Sequence, residues 1–277
     1  MTLDFTSTIE LNNGVKIPVL GLGTLHAAGE ALQNAILWAL DAGYHHLDTA
    51  KAYGNEREVG LAVKRSGVPR DEIFLTTKLW NDDHGYEHTL AAIDRGLKTL
   101  GVAFVDLYLI HWPVARRRVE TWKAMERILA EGKARAIGVS NFTIRHLEEL
   151  AAATDIVPAV NQIEFTPYLY QRELQGYCEG HGIAIEAWSP LTRAIKLRDP
   201  KLVAIAAQYG RSPAQILIRW GLQQHAVVIP KSTHREHILE NAWVFDFHLT
   251  KEDMARLNGF HEGLRTSGWD PDSDQFK

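Results

Sequence analysis

Short apolar runs alternate with amphipathic segments along most of the chain. Eight runs rich in Val, Ile and Leu follow residue 18, and most of them lack a strict alternation of apolar and polar positions. Such runs are typical of parallel strands that are buried on both faces. The predicted strands span residues 19–23, 44–48, 73–78, 105–111, 136–140, 159–163, 183–188 and 227–231.

Between these runs, apolar residues recur every three or four positions, which predicts helices that bury one face. Each of the three clearest stripes ends at a glycine: Gly43, Gly101 or Gly132. The stripes are Leu32, Ile36, Ala39 and Leu40; Leu90, Ile93, Leu97 and Leu100; and Val119, Trp122, Met125 and Leu129.

The alternation of eight strands with helices predicts an α/β fold, a (β/α)8 TIM barrel formed by one domain over residues 1–277. An N-terminal β-hairpin is expected first, because residues 9–11 and 15–18 flank the turn signal Asn12-Asn13-Gly14. No G-x-G-x-x-G string follows a predicted strand, which disfavours a Rossmann domain.

Charge and cysteine content narrow the possible partners and location. The formal net charge is −4, so a nucleic-acid or anionic-membrane partner is not expected. The one cysteine, Cys178, excludes an intramolecular disulfide. With no signal-like N-terminus and no apolar run of about 18 residues, we expect a cytoplasmic protein.

Polar side chains end several predicted strands. Asp48 ends the second run, Lys78 the third and His111 the fourth. Tyr53 follows Asp48 by five residues in the same loop. In a β/α barrel the active site lies at the carboxyl ends of the strands, so we expect these four side chains to meet at one rim.

Together the four side chains could polarise a carbonyl group and protonate its oxygen. A nearby ammonium lowers the pKa of a tyrosine from its usual value of about 10, so we expect Lys78 to make Tyr53 more acidic, with Asp48 holding Lys78 charged. His111 is expected to donate a hydrogen bond to the substrate oxygen. The set contains no electron source, so a cofactor must supply the hydride.

Five motifs in register resemble those of the aldo-keto reductase family, and the resemblance runs from about residue 9 to the C-terminus. The short loop after His111-Trp112-Pro113 is similar to that of the compact bacterial 2,5-diketo-gluconate reductases. The motifs are Leu47-Asp48-Thr49-Ala50 with Tyr53-Gly54-Asn55-Glu56, Thr76-Thr77-Lys78-Leu79-Trp80, Asp106-Leu107-Tyr108-Leu109-Ile110-His111-Trp112, Ile137-Gly138-Val139-Ser140-Asn141-Phe142, and Ile229-Pro230-Lys231-Ser232.

The resemblance implies an NAD(P)H-dependent enzyme that reduces small aldehydes or ketones and acts as a monomer. Tyr53 would be the proton donor, Asp48 and Lys78 its tuning pair, and His111 the group that orients the carbonyl. The implied substrate contacts are Leu25, Tyr53, Trp80, His111 and Trp112. The implied cofactor contacts are Gly23, Thr24, Asp48, Ser140, Asn141, Gln162, Trp188, Ser189, Leu191, Lys231, Ser232, Thr233, Arg235, His237, Glu240 and Asn241.

Three positions depart from the family pattern. Trp188 replaces the tyrosine that stacks on the nicotinamide, and Leu25 replaces an aromatic residue of the substrate pocket. His237 replaces an arginine that grips the 2′-phosphate of NADPH, so NADH stays open as an alternative cofactor. Arg265 and Trp269 in the C-terminal tail are equally expected to reach the substrate or to lie on the surface.

Two other functions compete with the reductase hypothesis. One is a non-catalytic NADP(H)-binding regulatory protein on the same barrel, which the intact set of four residues disfavours. The other is a hydrolase that uses His111 and Asp48 around a metal. The pairs His84 with His88 and His234 with His237 have helical metal-ligand spacing, but neither has a third ligand nearby in sequence, so no metal is expected.

Overall fold

The structure, a computed structural model, describes residues 3–273. Its strands are β1 (Thr8–Glu10), β2 (Lys16–Pro18), β3 (Leu22–Gly23), β4 (His46–Asp48), β5 (Phe74–Leu79), β6 (Val105–Ile110), β7 (Ala134–Ser140), β8 (Val160–Glu164), β9 (Ala184–Trp188) and β10 (Val227–Val228). Its α-helices are α1 (Gly29–Asp41), α2 (Glu56–Ser66), α3 (Tyr86–Leu100), α4 (Arg118–Ala130), α5 (Ile144–Ala151), α6 (Arg172–Gly180), α7 (Pro200–Tyr209), α8 (Pro213–Gln223), α9 (Arg235–Ala242) and α10 (Lys251–Asn258).

Strands β3 to β10 form one parallel sheet in chain order, and the sheet closes on itself. At the seam, the Val228 N–H donates to the Val19 carbonyl at 2.9 Å, and the Gly21 N–H donates to the Val228 carbonyl at 3.0 Å. The predicted (β/α)8 barrel is therefore confirmed. The two seam strands are shorter than predicted, because an isolated bridge between Leu20 and Val228 replaces a regular ladder there.

The N-terminal hairpin closes the amino-terminal end of the barrel. Strands β1 and β2 pair antiparallel with Ile9 opposite Ile17, as the turn signal predicts, and Gly14 takes the positive φ of 83° that the turn requires. Leu11 and Ile17 are buried against the barrel interior, in a cluster with Phe74 and Val160. This apolar plug fills one end of the barrel, and polar side chains occupy the other.

The helices cover the outside of the barrel with the stripes that the sequence predicts. Leu32, Ile36 and Ala39 of α1 are buried, and Trp122 and Met125 of α4 are fully enclosed. Gly101 follows α3 in the left-handed conformation that ends a helix without a Cβ clash. Among the residues that the structure describes, no helix is long and apolar enough to cross a membrane.

Candidate active site

A cavity of about 730 Å³ opens at the carboxyl ends of the barrel strands. Parallel strands bring their last residues to one rim, so side chains that are far apart in sequence meet there. The cavity is lined by Gly23, Thr24, Leu25, His26, Asp48, Ala52, Tyr53, Trp80, His111, Trp112, Ser140, Asn141, Gln162, Trp188, Ser189, Pro190, Leu191, Arg193, Ile229, Lys231, Ser267 and Trp269.

Three of the four predicted catalytic side chains, Asp48, Tyr53 and His111, line this cavity, and Lys78 lies buried against two of them. Lys78 Nζ donates to Asp48 Oδ1 at 2.6 Å, to the Thr49 carbonyl at 2.9 Å and to the Tyr53 hydroxyl at 3.2 Å. The ring centroids of Tyr53 and His111 are 5.8 Å apart. A buried chain of hydrogen bonds thus runs from a carboxylate through an ammonium to a phenol that faces the cavity.

The expectation that Tyr53 is more acidic than an ordinary tyrosine is wrong for the chain on its own. Burial raises the pKa of Tyr53, and this effect exceeds the opposing effect of the Lys78 charge. Asp48 raises the pKa further. Lys78 therefore makes the hydroxyl more acidic than burial alone would leave it, without bringing its pKa below the usual value.

Burial affects the charges of Lys78 and His111 differently. Burial is the largest single effect and lowers the pKa of Lys78, but the Asp48 charge and hydrogen bond, together with Tyr53 and Glu186, raise it, and the pKa ends above its usual value. Burial, helped by the positive charge of Lys78, lowers the pKa of His111 well below its usual range. At neutral pH the site therefore holds a charged lysine beside a neutral imidazole, which can donate one hydrogen bond to a carbonyl oxygen.

Four predicted cofactor residues form a hydrogen-bonded wall beside these groups. Ser140 Oγ donates to the Gln162 carbonyl at 2.8 Å, and Asn141 Nδ2 donates to the His111 carbonyl at 3.0 Å. The Trp188 indole N–H donates to Asn141 Oδ1 at 3.0 Å, which fixes the indole plane against the cavity. A flat ring held in this way is suited to stack on a planar ligand.

Left-handed backbone conformations concentrate at the same rim. Asn141 and Ser189 have φ values of 61° and 49°, directly after β7 and β9. Arg193, with a φ of 48°, and His26, with a φ of 58°, also line the cavity. Non-glycine residues in this region cost stability and are typical of functional sites. At Asn141 and Ser189 this conformation turns the backbone sharply as it leaves β7 and β9.

The remaining predicted cofactor residues lie farther from the cavity floor. Lys231 lines the cavity, whereas Ser232, buried, receives a hydrogen bond from the His234 N–H at 3.1 Å. Arg235 and His237 are exposed in the first turn of α9. Thr233, Glu240 and Asn241 accompany them, and none of these three lines the cavity. The predicted contacts therefore fall into a cavity group and a group on α9 and in the loop before it.

The predicted substrate contacts all line the cavity, and the C-terminal tail adds more. The Trp269 ring packs on the Trp112 ring with centroids 5.1 Å apart, whereas Arg265 does not line the cavity. Residues that sequence reasoning missed are His26, Ala52, Pro190, Arg193, Ile229 and Ser267. Ala52 and His26 sit close in sequence to predicted contacts, but nothing in the sequence signals that Ser267 folds back over the barrel.

The histidine pairs do not assemble a metal centre within residues 3–273, where no group of three potential ligands has metal-binding geometry. His84 is buried and His88 is exposed, so the two do not present a common face. His234 and His237 lie with ring centroids 5.5 Å apart on the surface.

A closed parallel barrel with a Tyr, Lys, Asp and His at its carboxyl-terminal rim, beside a cleft with a flat indole wall, belongs to the class of barrel oxidoreductases. The comparisons with known proteins agree, because the pattern of the Aldo/keto reductase family matches residues 19–262. The chain therefore belongs to the aldo-keto reductase family and is an NAD(P)H-dependent oxidoreductase.

Relatives match over nearly their whole length. The chain is 49% identical over 269 residues to a 9,11-endoperoxide prostaglandin H2 reductase of Trypanosoma cruzi, covering 96% of this chain and 95% of the relative. It is 45% identical over 277 residues to a glyoxal reductase of Bacillus subtilis, covering 100% of both. A Bombyx mori aldo-keto reductase in complex with NADP superposes with a TM-score of 0.89 at 38% identity, covering 94% of each chain.

Proposed function

We propose that this chain reduces an aldehyde or ketone to the alcohol, with Tyr53 as the general acid. The hydrogen-bonded series Asp48, Lys78 and Tyr53 at the floor of the cavity carries this proposal. A reduced nicotinamide, when bound, would supply the hydride that the carbonyl carbon needs. Tyr53 gives its proton to the oxygen, so the developing alkoxide leaves as an alcohol and a phenolate remains beside Lys78.

Lys78 contributes most when that phenolate forms. A buried phenolate without a partner is strongly disfavoured, and an ammonium 3.2 Å from the oxygen stabilises it. Asp48 keeps Lys78 charged and in place. His111, neutral at the cavity wall, donates a hydrogen bond to the same carbonyl oxygen and orients it toward Tyr53.

The wall of the cavity fits a nicotinamide dinucleotide. Trp188 offers the stacking surface, Ser140, Asn141 and Gln162 the polar groups for the carboxamide, and Gly23, Thr24, Ser189 and Leu191 the contacts along the ribose and pyrophosphate. Lys231, Ser232, Thr233 and Arg235 would hold the 2′-phosphate, and Glu240 and Asn241 the adenine. NADPH is the proposed cofactor, and the NADP complex of the Bombyx mori relative supports it.

The cofactor preference depends on the start of α9. His237 is exposed there and replaces an always-charged guanidinium with an imidazole, so discrimination against NADH is expected to be weak. His237→Arg should lower the KM for NADPH on the order of tenfold, since it adds a charge-assisted hydrogen bond to the phosphate. Its KM for NADH should stay unchanged.

The aromatic lining formed by Trp80, Trp112 and Trp269, with Leu25, favours compact and partly apolar carbonyl substrates. The glyoxal reductase relative adds small dicarbonyls to that range. We propose a monomeric, cytoplasmic enzyme whose single domain spans residues 1–277, with no metal, nucleic acid or membrane partner.

Turnover by the unmodified chain distinguishes an enzyme from a binding protein. NADPH and NADH oxidation is followed by absorbance with methylglyoxal and with a nitrobenzaldehyde. Aldehyde-dependent oxidation supports the reductase. Tight NADPH binding without turnover of either aldehyde would favour a regulatory protein on the same barrel.

A further inference from the structure

A second polar layer lies inside the barrel next to the four candidate catalytic residues. Glu186 of β9 is fully buried and faces the interior, two residues before Trp188 on the same side of the strand. His46, also fully buried, lies two residues before Asp48 on β4. Neither residue lines the cavity. A fully buried carboxyl group and a fully buried imidazole require an explanation.

Glu186 is joined to the candidate site through one amide. Gln162 is its register partner on β8, and Gln162 Nε2 donates to Glu186 Oε2 at 2.8 Å and to Asp48 Oδ2 at 2.8 Å. A carboxamide has only two N–H groups, so the two carboxyl groups use both. The amide is thereby held in one orientation, with its oxygen as the end able to accept a hydrogen bond from a ligand in the cavity that Gln162 lines.

His46 lies beside the other Glu186 oxygen, Oε1, which has no hydrogen-bond partner among the described residues. Its Nε2 lies 3.4 Å from Glu186 Oε1 and 3.1 Å from the Thr76 hydroxyl. The ring occupies the space beside Gly21, where a Cβ would lie only 2.6 Å from its Nδ1. Burial lowers the pKa of His46 to about 3, and burial raises that of Glu186 to about 8. The imidazole and the carboxyl group are therefore both uncharged at neutral pH.

The charged groups around Glu186 explain why this neutrality matters. The charged ones are Asp48 from β4 and Lys78 from β5, Tyr53 from the loop after β4 is a neutral phenol, and β10 contributes only apolar Val227 as the register partner of Glu186. Lys78 and Asp48 balance each other. A second carboxylate would add an uncompensated buried charge and make Tyr53 harder to ionise.

We propose that Glu186, buried beside His46, is a positioning residue of the reductase: it orients Gln162 for the nicotinamide carboxamide and, as a neutral group, keeps a second negative charge away from Tyr53. The inference rests on the proposed function of Gln162 and Tyr53. It adds a pair of residues that touch neither cofactor nor substrate and act through Gln162 and through charge.

Two substitutions separate the orienting effect from the charge effect. Glu186→Gln keeps the acceptor oxygen for Gln162 and offers His46 an N–H in place of the O–H, but it cannot ionise. Its NADPH Kd at about pH 7 should stay within about twofold of wild type. Glu186→Leu removes the acceptor, and its NADPH Kd should rise about tenfold, the effect of one hydrogen bond. NADPH binding is measured by quenching of tryptophan fluorescence, without turnover.

The pH profile tests the charge effect. In wild type, kcat should fall as the pH rises through about 8, where Glu186 ionises. In Glu186→Gln this fall should move to higher pH. Glu56→Gln is the matched control, because Glu56 is another buried glutamate with a raised pKa that bonds to Thr77, away from Gln162. Its kcat profile should follow that of wild type.

Infrared difference spectra between about pH 7 and about pH 9 give a third readout: a protonated-carboxyl band that Glu186→Gln abolishes. Near-UV circular dichroism shows whether the Glu186→Leu variant folds. If it does not fold, the infrared band and the pH profile of Glu186→Gln test the inference instead. An unchanged pH profile in Glu186→Gln, or an unchanged NADPH Kd in folded Glu186→Leu, overturns the inference. Turnover that survives Tyr53→Phe would instead contradict the proposed function. The NADPH Kd values of the Glu186 variants do not depend on that result, so the two failures can be distinguished.

Discussion

At the scale of single residues, the ion pair of Lys78 and Asp48 serves both stability and chemistry. Both side chains are almost completely buried, so each depends on the other for its charge. Removing one partner leaves an uncompensated charge, which costs far more than removing both. Because the two charges depend on each other, a comparison of single and double variants distinguishes a loss of stability from a loss of catalysis.

Lys78→Met should lower the free energy of unfolding by about 3–5 kcal/mol and kcat by about 10²–10⁴-fold. The double variant Asp48→Asn with Lys78→Met should recover most of the stability and none of the activity, because the phenolate of Tyr53 still lacks its ammonium. Urea unfolding and aldehyde-dependent NADPH oxidation measure the two effects. Recovery of turnover in the double variant would contradict the role given to Lys78.

Residue patterns located Asp48, Tyr53, Lys78 and His111 because each ends or follows an apolar run. They did not locate Glu186 or His46, although a glutamate inside the run 183–188 is a signal that could have been used, since a charge within a buried strand needs a partner. The direction of the Tyr53 pKa shift was also wrong. The sequence reveals the neighbouring lysine but not the degree of burial, and burial dominates.

At the scale of elements, the C-terminal tail is held over the cavity by the end of β8. Glu164, which is 2% exposed, accepts hydrogen bonds from the Thr266 N–H at 2.7 Å and from the Thr266 hydroxyl. Farther along, Trp269 packs on Trp112. The tail therefore forms one wall of the cavity, although residues 259–273 contain no regular helix or strand.

Glu164→Ala should loosen this wall and raise the KM for an aromatic aldehyde several-fold, with kcat changed less than about twofold, because the four candidate catalytic residues are untouched. Glu164→Gln is the matched control, since its amide oxygen still accepts the Thr266 N–H. Limited proteolysis should cut the Glu164→Ala chain near residues 264–269 faster than wild type. Equal cleavage rates and an unchanged KM would show that the tail does not depend on Glu164.

Strand positions were predictable to within about two residues for β5, β6, β7, β8 and β9, because continuous apolar runs mark strands covered on both faces. The seam strands β3 and β10 were not, since their length depends on how the barrel closes. The tail was not predictable either, because its path is determined by contacts with Glu164 and Trp112 rather than by a local pattern.

At the scale of the whole molecule, buried titratable groups determine how stability varies with pH. Burial lowers the pKa of His46 to about 3 and those of His84 and His146 to about 4. His111 is lowered as well. The unfolded chain binds these protons near pH 6.5 and the folded chain does not, so this stabilisation is lost as the pH falls from about 6.5 toward about 3.

Glu186 acts in the opposite sense. Burial raises its pKa to about 8, so the folded chain keeps a proton that the unfolded chain releases near its usual value of about 4.5. Its contribution is therefore lost as the pH rises between those values. Burial also raises the pKa of Asp48 and of Glu56, which adds to this loss. Because the two sets of groups act in opposite directions, stability falls on both the acid and the alkaline side of an intermediate pH.

His84→Leu tests this pH dependence. Both ring nitrogens of His84 are buried and have no hydrogen-bond partner within residues 3–273, so an apolar side chain of similar size should be tolerated. The variant should gain stability relative to wild type at about pH 5 but not at about pH 8, since each proton changes stability by about 1.4 kcal/mol per pH unit. Urea unfolding at both pH values measures the difference. The same change at both would contradict the account.

The central claim is that Tyr53 delivers the proton in carbonyl reduction, and Tyr53→Phe tests it most directly because only the hydroxyl is removed. NADPH binding by fluorescence quenching should match wild type, whereas aldehyde-dependent NADPH oxidation should fall by about 10²–10⁴-fold. Wild-type turnover in a variant that binds NADPH normally would contradict the account and assign the proton transfer to another group at the rim.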